Sequence, residues 1–67
     1  MASLGEELPK EQARVRNVLG YYREIGPPGV FAAAMIEADL RRADEAVMSG
    51  DVVQMIRAYE ALKAIVE

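Results

Sequence analysis

Apolar residues recur at helical spacing through most of the chain. Leu8, Val15, Val18, Leu19, Tyr22 and Ile25 fall on one side of a helical wheel, while Lys10, Arg14, Asn17, Arg23 and Glu24 fall elsewhere. Leu8-Pro9-Lys10-Glu11 predicts the start of this first helix. Proline is at home in a first turn, where its missing N–H would be unpaired anyway, and an acid there suits the helix dipole. Gly20 interrupts the pattern at about 1 kcal/mol relative to alanine, which implies a close helix approach or a tolerated defect. Gly26 supplies the left-handed residue that ends a helix, and Pro27 blocks continuation. Pro28 or Gly29 then opens a second helix running to about Met48. On it Ala33, Ile36, Leu40, Ala43 and Val47 share one side. Gly50 and Asp51 make the next corner, the glycine as a helix stop and the aspartate as an N-cap. The third helix, from Val52 to near the last residue, carries Val52, Met55, Ile56, Tyr59, Leu62 and Val66 in one stripe, with Gln54, Arg57 and Glu60 facing away. No strand-like alternation occurs. Short connections imply antiparallel neighbours, so the expectation is an all-α, up-down-up three-helix bundle joined by the GPPG and SGD turns.

The second helix holds more apolar surface than such a bundle needs. Phe31 lies almost opposite Leu40 on the wheel, Met35 sits well off the stripe, and Val30, Ala34 and Ala38 extend the excess. A helix that is apolar all round is normally covered all round. Two covers are conceivable. The leading segment, residues 1–7, either stays flexible or folds over this end of helix two with Leu4 and Leu8. Alternatively, Val30, Phe31, Ala34, Met35 and Ala38 form a protein interface, first of all with a second copy. Methionine and aromatic residues are enriched at interface centres, and alanine lets backbones approach.

Size favours a partner. The 67 residues hold a single helical domain, 1–67, and a domain this small buries only about 60% of the surface its unfolded chain exposes. The sequence has no cysteine and no histidine, so disulfides are ruled out and zinc, haem and iron–sulfur centres lack their usual ligands. Packing or oligomerisation must do the stabilising. A net charge of −3 with both signs interspersed offers no basic surplus for nucleic acid or an anionic membrane. The opening MASLGEELPKE has neither the basic nor the apolar region of a secretory signal, and no apolar run is long enough to span a bilayer. The expectation is a cytoplasmic protein, of a size and style that would suit a bacterial accessory protein.

Several motifs invite sharper readings. Gly50, Asp51, Ile56 and Tyr59, with Ala43 in the preceding helix, give Ser49–Leu62 a pattern that resembles the turn and second helix of a tetratricopeptide repeat. Met55 and Leu62 occupy positions where that repeat has small residues, and the overlap covers roughly a third of the chain. A solenoid needs at least about 3 copies, so the resemblance implies a helical hairpin with a binding role. The segment Ala46–Ile56 also has the small–Gly–aliphatic spacing of a helix-turn-helix, although Asp51 replaces its usual aliphatic residue. The alternative function is therefore a small dimeric regulator touching nucleic acid through Arg14, Arg16, Arg23 and Arg57. Glu37, Asp39, Asp44 and Glu45 interleave with Arg41 and Arg42. Glu37–Arg41, Asp39–Arg42 and Arg42–Glu45 have the spacing of ion pairs along a solvated helix face. Ser3 and Ser49 have no base beside them in the sequence, and two prolines are too few for a polyproline ligand. Of Tyr21, Tyr22 and Tyr59, two are expected in the core and one at its boundary. Catalytic, cofactor-binding and metal-binding residues are none, no cofactor or small-molecule substrate is implied, and a non-enzymatic interaction protein is the expectation.

Overall fold

The computed structural model of the chain describes residues 3–66. It is an all-α bundle of three helices: α1, Leu4–Glu24; α2, Val30–Ser49; and α3, Val52–Lys63. A single 3-10 turn, Pro27–Gly29, links the first two. Each helix packs on both of the others, and the whole measures 37 × 22 × 16 Å. The helices run up, down and up, as expected.

Helix α1 begins four residues before its sequence signal. The Ser3 carbonyl accepts from the N–H groups of Glu6 and Glu7 at 3.0 and 2.8 Å, and both glutamates sit in the first turn, where the dipole favours acids. Pro9 therefore lies inside the helix and leaves the Gly5 carbonyl without its usual donor. Burial offsets that defect. Leu8 is fully buried and Leu4 packs against the core, so extending the helix hides two leucines. The leading segment consequently does not fold over helix two. Leu4–Glu7 continue α1 at the end far from the GPPG corner; residues 1 and 2 lie outside the described residues.

The core draws Leu8, Val15, Val18 and Leu19 from α1, Ala33, Ile36, Leu40, Ala43 and Ala46 from α2, and Ala58 and Leu62 from α3. Each of the three expected stripes departs in part from the packed face. Ala46 replaces Val47, Ile25 is nearly half exposed, and on α3 the packed face is Met55, Ala58, Tyr59 and Leu62, followed by Ile65. Val52 and Ile56 point outward, and Val66 lies beyond the end of the helix. The cause is size. Ala43, Ala46 and Ala58 let α2 and α3 approach, and close packing along a small-residue face outweighs exposure of a few valines and isoleucines.

Each corner is built from its own sequence. Gly26 has φ 77° and ψ −144°, a region only glycine enters at little cost. Gly29 is buried so closely against α1 that a side chain there would run into the Tyr22 carbonyl and the Ile25 side chain. At the SGD corner Gly50 is left-handed with φ 71°, and its N–H donates to the Ala46 carbonyl at 3.0 Å. The Asp51 carboxylate then caps α3 by accepting from the Gln54 N–H at 3.2 Å.

Helix lengths decide which surfaces stay open. With 21, 20 and 12 residues, α1 and α2 are about 30 Å long and α3 only about 18 Å. Starting from the SGD corner, α3 runs out partway along the hairpin. Its later residues Arg57, Ala58 and Ala61 share a crevice with Asp39 and Arg42, and its final carbonyls are level with Arg14. The half of the α1–α2 hairpin nearest the GPPG corner has no third helix beside it.

Candidate interaction surface

Antiparallel packing of α1 on α2 is fixed by polar contacts that climb the two helices together. Gln12 Nε2 donates to Asp44 Oδ1 at 2.8 Å, Arg16 Nη2 reaches both Asp44 oxygens at 2.9 and 3.1 Å, and Arg23 Nη2 meets Glu37 Oε1 at 2.7 Å. Gln12 is buried, a polar position that the apolar spacing does not flag. Helix α3 lies on another side of this hairpin. Arg14 reaches across, donating through Nη1 to the Ile65 carbonyl and through Nη2 to the Leu62 carbonyl, both at 2.9 Å. A cation thus clamps the end of α3, adding to the Leu62 carbonyl a second donor beside the Ile65 N–H and reaching the Ile65 carbonyl just past the helix.

The sides that face α3 can be followed toward the GPPG corner. On α2 that side holds Ala46, Arg42 and Asp39; one and two turns further it holds Met35 and Ala32, with Phe31 at its edge. On α1 it holds Arg14, then Tyr21 and Ile25. Beyond the end of α3 these residues have no cover. Phe31 is 88% exposed, Met35 68%, Tyr21 58% and Ile25 45%. Lower down, Ala46 and Asp39 on the α2 side are covered, while Arg42 at its edge stays exposed. The open patch therefore continues the seat in which α3 lies.

Each residue expected at an interface lies on the outer arc of α2. Val30, Phe31, Ala34 and Met35 are exposed or half-exposed, and Ala38 is partly covered. Phe31, Met35 and Ala38 border the α3 side. Val30 and Ala34 turn toward the back of the hairpin, where they line an open groove of about 530 Å³ with Tyr22, Pro27 and Ala33. The Arg23–Glu37 ion pair closes the far side of that groove. Tyr21 and Ile25 belong to the exposed surface too, although Ile25 reads as a core position from spacing alone. The missing signal is the shortness of α3, since a stripe is buried only where a neighbour reaches it. The Tyr21 ring packs edge-on against Tyr22 at 6.2 Å, while Tyr22 and Tyr59 are half-buried against the core.

The arginines expected to touch nucleic acid are largely engaged within the fold. Arg14 pairs with Glu11 as well as the α3 carbonyls, Arg16 with Asp44 and Arg23 with Glu37; Arg57 lines the α2–α3 crevice. In the helix-turn-helix-like segment Ala46 is buried, but Ile56 points to solvent instead of packing between the two helices. Of the expected pairs along α2, Asp39–Arg42 forms at 3.1 Å, whereas Glu37 turns to Arg23. Among the described residues, no three acidic side chains converge into a cluster able to hold a metal ion. No helix there is long and apolar enough to cross a membrane.

No family model, no curated protein and no solved structure matches the chain.

Proposed function

We propose that this protein is a non-enzymatic, cytoplasmic interaction module that binds protein through the uncovered half of its α1–α2 hairpin, and that it self-associates there. The observation that supports this reading is Phe31, 88% exposed beside Met35, at the edge of the side of α2 whose Ala46 and Asp39 are covered lower down. An aromatic residue and a methionine left open together are the typical anchors of a protein interface. Such a patch on a domain with so small a core gains stability when a partner covers it. The back groove is too open, and its Arg23–Glu37 pair too fully matched, to favour a small-molecule reading.

The test is sedimentation over a concentration series. Wild-type protein is expected to associate reversibly, and Phe31→Glu to remain monomeric with an unchanged circular dichroism spectrum, because Phe31 takes no part in the core. Association that survives Phe31→Glu, or a wild type monomeric at every concentration, overturns the reading.

A further inference from the structure

We infer that the occupant of the open seat is a second copy of this chain turned end for end, each copy's GPPG corner resting near the end of the other's α3. The inference rests on the interaction-surface reading and adds the partner and its direction.

Three features point to a second copy. The seat is one a helix already fills, since α3 lies in its lower part, and the exposed half of the hairpin offers helices of matching character. Phe31 and Met35 project from α2 with Ala32, Ala34 and Ala38 between and beside them, so large side chains alternate with room for a neighbour's. The extent is also suitable. Tyr21, Ile25, Phe31 and Met35 leave on the order of 500 Å² open per copy. An isologous contact uses that area twice, and about 1,000 Å² is the lower bound for a specific interface. Charge is the third feature. A surface that meets itself meets its own charges, and this one has none at its centre. The flanking Asp39 and Arg42 neutralise one another, as do Arg23 and Glu37 at the back.

Direction comes from the position of α3. That helix occupies the layer beside the lower half of the hairpin. A second copy laid alongside in the same sense would place its own α3 in the space already taken. A copy turned end for end inserts its uncovered half into the open part of the layer. Its corner then meets Ile65 and Val66, the latter 70% exposed. The result is a four-helix core made from α1 and α2 of each copy. Glu24 lies next to the corner, so inversion also sends its two copies to opposite ends of the contact.

A second apolar group, at the SGD corner, offers the competing arrangement. Met48 is 87% exposed there, with Val47, Val52 and Val53 nearby. Docking one end on the other would join copies head to tail into an open chain.

Because the sequence contains no cysteine, single cysteines report these contacts cleanly. Met35→Cys, near the middle of the seat, and Met48→Cys, at the opposite end, are treated with a short bismaleimide, alone and as an equimolar mixture. Inverted pairing predicts that Met35→Cys links to itself at least tenfold faster than Met48→Cys. It also predicts no preferential Met35–Met48 product in the mixture. The Met35 cross-link should vanish when Phe31→Glu is added. A protein that self-associates but links faster through Met48, or across the mixed pair, overturns the inverted arrangement and leaves the interaction surface standing. A monomer at every concentration overturns both.

Discussion

Single glycines carry opposite burdens in this molecule. Gly20 interrupts α1, yet a methyl group added there would touch nothing within 4 Å, so the close-approach explanation does not apply. Gly20→Ala is expected to stabilise the fold by up to about 1 kcal/mol, the ordinary helix preference. Gly29 has an unremarkable φ of −93°, but a methyl group there would strike the Tyr22 carbonyl, which is backbone and cannot step aside. Gly29→Ala should cost roughly 1–3 kcal/mol, as overpacking does. Urea unfolding of the two variants checks both signs, and equal effects would contradict the packing described. Neither role shows in the letters. Gly29 looks like a flexible corner residue and Gly20 like a contact residue until neighbouring atoms are placed around them.

At the level of elements, the sequence signals are good where they are local and poor where they depend on a neighbour's length. Gly50 and Asp51 act as spacing and capping chemistry predict, whereas Gly26 takes a positive φ but, with ψ −144°, lies outside the left-handed helical region expected of it. The start of α1 departs from its signal because Pro9 is a strong local stop, whereas burial of Leu4 and Leu8 is a tertiary gain. The α3 face departs from its stripe because Val52 and Ile56 outrank Ala58 in hydrophobicity but not in fit. Within α3, the end is held by Arg14, not by a glycine or proline of its own. Arg14→Met keeps most of the side chain's apolar bulk and removes its hydrogen bonds to the Leu62 and Ile65 carbonyls. The expected loss is about 1 kcal/mol, modest because the side chain is 40% exposed. Hydrogen exchange should locate the damage at the final turn of α3, with the amides of α2 little affected. Uniform acceleration across all helices would speak against a local clamp.

For the molecule as a whole, the surplus of oily residues is legible from composition and spacing, and its place on α2 from the wheel. The contribution of α1 to the same patch is not. It arises from three-dimensional offset: two long helices and one short one leave half a hairpin bare. If a second copy covers that half, stability is linked to concentration. The melting temperature should rise as the protein is concentrated, and this dependence should disappear in Phe31→Glu. A melting temperature independent of concentration in the wild type would count against association in the native state.

The buried amide of Gln12 has a consequence for alignment. Helix α2 is rich in alanine, and a nearly smooth rod could slip along its neighbour by a turn while still hiding most of its methyl groups. Slippage would tear Gln12 from Asp44, stranding a polar group in a dry place at roughly 1–3 kcal/mol. Like a key in a keyway, that bond, between residues 32 positions apart in sequence, acts with the Arg16–Asp44 and Arg23–Glu37 pairs to favour one setting of the two helices over its neighbours.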